Sequence, residues 1–368
     1  MMTTVLFRLW PITEGDGVTK PRKAITATVA AAVGMLIVTG IIMFRHVTSP
    51  ETGSAPPRPP SASQRTPGSA DSGAASLRVD ETTPLTAVMN APEFAGFGEL
   101  IFPSSERITA DMTIAEVARL LPYHSNIDPV EVAATVNDML ADSRDGALSF
   151  HPVYTDVEIG ADPAKADVGL FFFPGRTGAP FAIIAPGGGF SYVGSIHEGF
   201  PYAQAINRHG HHAFVLSYRT GGGGRPAAED LAAAIDYVFA NADTLGVDTD
   251  GYSLWGSSAG ARMAANLGSF GTAAFGRADR PQPAAVIMAY TGYQATGNDP
   301  ATFAVVGEND AIAPPGVMRD RIERLDAAGV DTEFHVYPGI GHGFGLGTGT
   351  AAEGWADDAL AFWDAHRP

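Results

Sequence analysis

The sequence predicts an α/β protein built on a mostly parallel sheet with helices on both faces. Three observations carry the prediction. Eight short runs rich in β-branched and aromatic residues follow one another after residue 150. Helical patterns lie between most of the later runs. The two earliest runs can pair as a hairpin, after which strand–helix alternation makes parallel crossovers the natural connection. With 368 residues, 45% of them hydrophobic, the chain is long enough for one large domain of this kind plus appendages.

The appendages come first. Lys20, Arg22 and Lys23 precede an uncharged 21-residue run, Ala24–Phe44, and Arg45 follows it. At about 1.5 Å per helical residue the run matches the hydrocarbon core of a bilayer. The positive-inside bias makes residues 1–23 a cytoplasmic tail, 24–44 a transmembrane signal-anchor, and the rest extracytoplasmic. The expectation is a single-pass protein of the cell membrane. Secretion after signal cleavage is the alternative, although the run is long for a signal core and no clear small-residue cleavage site follows at once. Residues 45–84 read as a linker. Pro, Ser, Gly and Ala dominate Thr48–Ser76, without apolar periodicity.

Residues 85–150 read as an N-terminal helical segment. Thr113 and Glu116 form a capping box before IAEVARLL. Asp128, Pro129 and Glu131 supply a cap, a first-turn proline and a reciprocal acid before VAATVNDML. The strands expected next are 152–159, 168–173, 181–186 and 212–218, then 252–255, 285–290, 302–307 and 333–338. A helix ending at Gly210 lies between the third and fourth of these strands. Another places Leu231, Ile235 and Val238 on one face, and others start near Ala259, Pro315 and Ala352.

Composition narrows the chemistry. The formal net charge is -17 and no basic patch stands out in the C-terminal part, which argues against a nucleic-acid partner. There is no cysteine, so disulfides, thiolate zinc sites and cysteine nucleophiles are excluded. No cofactor motif is present and no metal is expected. His209, His211 and His212 straddle a helix stop and a strand start, where their rings should diverge. Gly221–Gly224 should form a loop near the strand ends.

One pentapeptide is chemically suggestive. Gly256-Ser257-Ser258-Ala259-Gly260 fits G-x-S-x-G on Ser258 and not on Ser257. A serine on a sharp strand-to-helix turn brings the residues two before and two after it together, and only very small ones fit. A nucleophilic serine needs a base and an orienting acid. His342, between glycines after the last strand, is the candidate base; His335 falls inside that strand. Asp310, on the loop after the strand ending at Gly307, is the candidate acid, with Glu308 the alternative. Gly187, Gly188 and Gly189 follow a strand directly. The amides of Gly188, Gly189 and Ala259 would form an oxyanion hole. A phosphate-binding glycine loop would need a different pattern. Phe190, Tyr192, Tyr290 and Tyr293 fall near strand C-terminal ends, where they would line a substrate pocket or simply pack.

Together, APGGGFSYVGSIHEGFPYAQAINRHGHHAFVLSYR, WGSSAGARMAANLG, VVGENDAIAPP and GIGHGFG resemble the α/β-hydrolase superfamily. Within it they resemble the esterase/lipase branch that includes acetyl esterases and xylan-esterase-like proteins. The likeness covers roughly Asp167 to Pro368. It implies an α/β-hydrolase fold with an eight-stranded sheet over 151–368, and carboxylester hydrolysis through an acyl-enzyme on Ser258, Asp310 and His342. Pro186 stands where many such esterases carry histidine before the glycines. The segment from Tyr290 to Thr302 is too short for a large cap.

The expected function is therefore a membrane-tethered serine esterase acting on a small-molecule ester. A short acyl group, acetyl-type and on a carbohydrate among other options, suits the absence of a cap. A serine peptidase of the same fold and a non-catalytic surface-displayed binding module are the competing readings. Nothing in the sequence specifies an oligomeric state.

Overall fold

A computed structural model describes residues 76–103 and 107–368. The expected cytoplasmic tail, the expected anchor at 24–44 and most of the expected 45–84 linker lie outside the described residues. Among the described residues no helix is long and apolar enough to cross a membrane.

The strands are β1 (Ser149–Pro152), β2 (Gly169–Phe173), β3 (Pro180–Ala185) and β4 (His212–Ser217), followed by β5 (Asp248–Ser257), β6 (Ala285–Ala289), β7 (Ala301–Gly307) and β8 (Thr332–Tyr337). They form one sheet in the order β1-β2-β4-β3-β5-β6-β7-β8. β2 runs antiparallel to β1 and β4, and every pairing from β4 across to β8 is parallel. All residues of β2, β3, β4 and β6 are buried, as parallel strands covered on both faces must be.

The helices are α1 (Leu85–Met89), α2 (Pro129–Arg144), α3 (Asp156–Ala161), α4 (Phe200–Arg208), α5 (Gly224–Ala240), α6 (Ala242–Leu245), α7 (Ala259–Phe270), α8 (Pro315–Ala327) and α9 (Trp355–Ala365). Chain direction fixes their faces. The step β3–α4–β4 runs one way across the sheet, and β4–α5–β5 runs the other. Right-handed crossovers then put α4 and α5 on opposite faces. α7 packs on α5, and α9 packs on α4, so each face carries its own helical layer.

One expected strand is wrong. Residues 152–159 are not extended: β1 ends at Pro152, and α3 begins at Asp156. The cause is local. Thr155 Oγ1 accepts the Glu158 amide at 3.3 Å, and Glu158 Oε2 accepts the Thr155 amide at 3.0 Å. This reciprocal cap nucleates a helix, and Val157, part of the apparent alternation, is 82% exposed. The cap at Thr113 and Glu116 also forms, but the segment behind it, Ile114–Leu120, winds as a 3₁₀ helix. Asp128 caps α2 through the Val130 amide at 2.9 Å.

The N-terminal segment shares the core of the sheet. Phe97 packs on Phe150 and edge-on to Phe171 of β2, with ring centroids 6.1 and 5.5 Å apart. Within residues 77–84, placed in the linker by the sequence reading, one residue joins the domain core. Val79 is buried, and its backbone N–H and C=O both bond the Asn137 side chain on α2, at 2.9 and 2.8 Å.

Candidate active site

The strand order reverses between β3 and β5, since β3 leads back to β4 while β5 lies on its other side. Open α/β sheets bind ligands beyond the strand C-termini at such a switch point. Ala185, the last residue of β3, pairs with Gly256 of β5. The glycine loop after β3 and the serine after β5 therefore emerge side by side. β7 and β8 deliver the loops bearing Asp310 and His342 at the same edge.

Ser258 links β5 to α7 with φ 50° and ψ −114°. This is a strained conformation for a residue with a Cβ, costing about 1–3 kcal/mol. The flanking glycines make the turn possible. A Cβ on Gly260 would stand 1.8 Å from the Ala185 carbonyl oxygen, and one on Gly256 would stand 2.4 Å from the Gly260 carbonyl. The Ser258 amide donates to the Ala289 carbonyl at 2.8 Å, anchoring the turn to β6. Asn126, Phe190 and Tyr290 are the other non-glycine residues with positive φ among those described, and all lie in segments around this edge.

His342 brings the chemistry-bearing groups together. Its Nε2 lies 2.9 Å from Ser258 Oγ, and its Nδ1 lies 2.7 Å from Asp310 Oδ2. The other Asp310 oxygen, Oδ1, accepts the Ile312 and Ala313 amides at 2.8 and 2.7 Å. A carboxylate held this way keeps a proton on Nδ1 and leaves Nε2 as an acceptor facing the serine. Asp310 and His342 are both buried, whereas Ser258 is half-buried. Glu308 turns away, accepting the Gly339 amide at 3.1 Å, and His335 lies beside Glu333 at 2.6 Å.

The glycine loop faces Ser258. A Cβ on Gly187 would lie 3.1 Å from the Ser258 Cβ. Gly188 and Gly189 have φ of 132° and 62°, a course open to glycine. Among the described residues, the amides of Gly188, Gly189 and Ala259 donate to no protein acceptor. Three free N–H groups near a half-buried hydroxyl are suited to a developing anion. Ser257 points the other way: it is fully buried, and its Oγ donates to Tyr202 Oη at 3.1 Å.

The four aromatic candidates divide. Phe190 and Tyr293 are half-buried; the Tyr293 hydroxyl donates to Asn266 on α7. Tyr192 and Tyr290 are buried, and their hydroxyls are engaged inside the protein. The Tyr290 ring packs edge-on to His342, with centroids 5.1 Å apart. Of the histidine-rich stretch, His209 pairs with Asp357, His211 with Asp364, and His212 Nδ1 accepts the Gly175 amide. These rings diverge, and no metal-binding group of side chains occurs among the described residues. Gly221–Gly223 form a loop, but Gly224 already belongs to α5.

Sequence reasoning missed a buried polar cluster under the site. Glu198 is fully buried. Its Oε2 accepts the Gly187 amide at 2.6 Å; its Oε1 accepts the Tyr290 hydroxyl at 2.8 Å and lies 3.0 Å from His124 Nε2. Burial raises its carboxyl, but the charge and hydrogen bond of His124, with His197 and Tyr290, outweigh burial and hold it at about 2. His124 Nδ1 lies 3.0 Å from Tyr192 Oη. Next to it, Ser125 donates its hydroxyl to the His342 carbonyl at 2.8 Å and its amide to the Gly343 carbonyl at 2.9 Å. No spacing rule links these positions; only the fold brings them together.

The BD-FAE family model matches residues 174–279, a stretch that holds the glycine loop and Ser258 but neither Asp310 nor His342. No curated protein sequence matches the chain. Among solved structures, MGS-M1, an α/β-hydrolase enzyme from a Medee basin deep-sea metagenome library, is similar with a TM-score of 0.51 and 21% identity. It covers 59% of this chain and 96% of its own. An acetyl ester-xyloside bifunctional hydrolase from Caldicellulosiruptor lactoaceticus is similar at 0.50 and 20% identity, over 59% of this chain and 96% of that one. The propionate-bound esterase Est2 of Thermogutta terrifontis is similar at 0.50 and 19% identity, over 60% and 94%. At these identities the likeness speaks for the fold, and the fold is that of the α/β-hydrolases.

Proposed function

We propose that the chain is a serine hydrolase that cleaves carboxylic esters through an acyl-enzyme. The observation that carries this reading is the single line of contacts from Ser258 Oγ to His342 Nε2 at 2.9 Å, and from His342 Nδ1 to Asp310 at 2.7 Å. His342 accepts the Ser258 hydroxyl proton as Oγ attacks the ester carbonyl carbon. The Gly188, Gly189 and Ala259 amides hold the tetrahedral oxyanion. Collapse breaks the bond to the alcohol oxygen, which leaves with the proton from His342. Water then gives a proton to His342 and attacks the acyl carbon. The second collapse frees the carboxylic acid and returns the proton to Ser258. Asp310 fixes the imidazole tautomer and stabilises the imidazolium.

The acyl group in this reading is short, acetyl-type, and a carbohydrate ester is among its substrates. Two observations support this. The connection from β6, ending at Ala289, to β7, starting at Ala301, is too short to form a large lipid-binding cap, and the buried Asp299–Arg321 pair at 2.8 Å ties it down. One of the similar structures is named for acetyl-ester hydrolysis, and another holds propionate. A chain-length series of nitrophenyl esters tests the assignment. Turnover should peak at acetyl to butyryl and vanish in Ser258→Ala. Equal turnover by the variant, or a peak at long acyl chains, contradicts it.

We also propose that the enzyme is tethered to the cell membrane by Ala24–Phe44, with the catalytic domain outside the cytoplasm. Support comes from the length of the uncharged run and the basic residues before it. Alkaline carbonate extraction of membranes tests it: the full-length chain should stay with the lipid. Quantitative release would favour the secreted form.

A further inference from the structure

The carboxylate of Glu198 has no part in the chemistry above, yet it touches both halves of the site. Through Oε2 it binds the amide that leads into the glycine loop. Through Oε1 it holds Tyr290, whose ring packs on His342. Its third partner, His124, comes from the segment before α2, outside the 174–279 family match.

We propose that Glu198 is the positioning residue of the oxyanion hole and that His124 fixes it in place, making the segment before α2 a working part of the site. The inference rests on the serine-hydrolase reading of Ser258.

The argument is one of preorganisation. An oxyanion hole stabilises a transition state only if its donors are aimed before the charge develops. A run of three glycines has no side chains with which to hold such an aim. At Gly187 the loop receives a charge-assisted bond of 2.6 Å to a fully buried carboxylate. Anchoring that amide sets the direction in which the peptide planes of Gly188 and Gly189 follow. The anchor is rigid in turn because each carboxylate oxygen is engaged, Oε1 by both Tyr290 and His124. His124 is held from its other nitrogen by Tyr192, which sits on the same loop. Ser125 completes the arrangement by bonding the His342 and Gly343 carbonyls. The His124-Ser125 dipeptide therefore ties the oxyanion loop to the histidine loop.

The test uses the full-length chain and the variants Glu198→Ala, Glu198→Gln, His124→Phe and the double variant Glu198→Ala/His124→Phe. Trp363→Phe serves as a stability control, because it loses a bond to Gly251 of β5 and buried packing beside His211, none of it in contact with Ser258, Asp310, His342 or the glycine loop. An interaction realised in the transition state appears in kcat, so Glu198→Ala should lower kcat at least about 30-fold and leave KM within about threefold. Glu198→Gln keeps an acceptor for Gly187 and should recover part of the loss. Because His124 acts through Glu198, the double variant should be no slower than Glu198→Ala alone. Hydrogen–deuterium exchange needs no turnover: the peptide containing residues 186–194 should exchange at least about tenfold faster in Glu198→Ala, and at the wild-type rate in Trp363→Phe. Unchanged kcat, a loss confined to KM, or unchanged exchange overturns the proposal. Should Glu198→Ala not fold, Glu198→Gln and His124→Phe carry the same kcat and exchange comparisons. Full activity in Ser258→Ala would overturn the serine-hydrolase reading instead, whereas an inactive Ser258→Ala beside a fully active Glu198→Ala overturns this inference alone.

Discussion

Asp310 divides its work between its two oxygens. Oδ1 is held by the Ile312 and Ala313 amides, so the carboxylate cannot rotate, and Oδ2 is left to His342. Asparagine at this position would keep the size but allow an NH₂ group to face Nδ1. The imidazole would then favour the tautomer with its proton on Nε2, facing Ser258. We predict that Asp310→Asn lowers kcat by about 10²–10⁴-fold with little change in KM. Steady-state kinetics on a short-chain ester measure this directly. A loss below about tenfold would mean that His342 is oriented by other contacts. Glu308 is not a substitute, because its carboxylate is spent on the Gly339 amide.

At the level of elements, the strand–turn–helix at Ser258 depends on two glycines more than on the serine. A methyl group on Gly260 would overlap the Ala185 carbonyl oxygen, which is backbone of β3 and has no room to retreat. We predict that Gly260→Ala destabilises the protein by more than about 4 kcal/mol, read from denaturant unfolding, whereas Ser258→Ala changes stability little. A Gly260→Ala variant of wild-type stability would contradict the geometry given for the turn. This local crowding is why the nucleophile was legible in sequence. Gly256 and Gly260 around Ser258, and Gly343 after His342, record steric demands at positions within a few residues of the groups they serve. Seven of the expected strands were legible for a similar reason, as apolar runs bounded by turn residues. The strand expected at 152–159 is absent because the Thr155–Glu158 cap starts a helix that overrides the apolar alternation there. Glu198 and His124 were not legible, since neither has a local signal. Each acquires its place from contacts with distant parts of the chain.

At the scale of the molecule, the segment before β1 belongs to the same core as the sheet, and the buried histidines make that core pH-sensitive. His197 is nearly fully buried, with Nε2 3.1 Å from the Gly343 carbonyl. Burial, followed by the nearby charge of His124, lowers it from its ordinary 6.5 to about 4, against the opposing pull of Glu198 and the Gly343 carbonyl. The folded state therefore binds fewer protons than the unfolded state between these values. Stability is present in full above about 6.5 and declines as pH falls toward 4. His151, His211 and His212 are lowered by burial and act in the same direction. We predict that the thermal midpoint falls over this window and that His197→Gln makes the fall shallower; an unchanged slope would remove His197 as a contributor. The central claim, that Ser258 is the nucleophile of the molecule, is tested most directly by covalent labelling. A fluorophosphonate probe and intact-mass analysis should give one adduct per chain, mapped to Ser258. The adduct should persist in Ser257→Ala and disappear in Ser258→Ala. An adduct that survives Ser258→Ala, or a folded wild-type chain that forms none, would contradict the account.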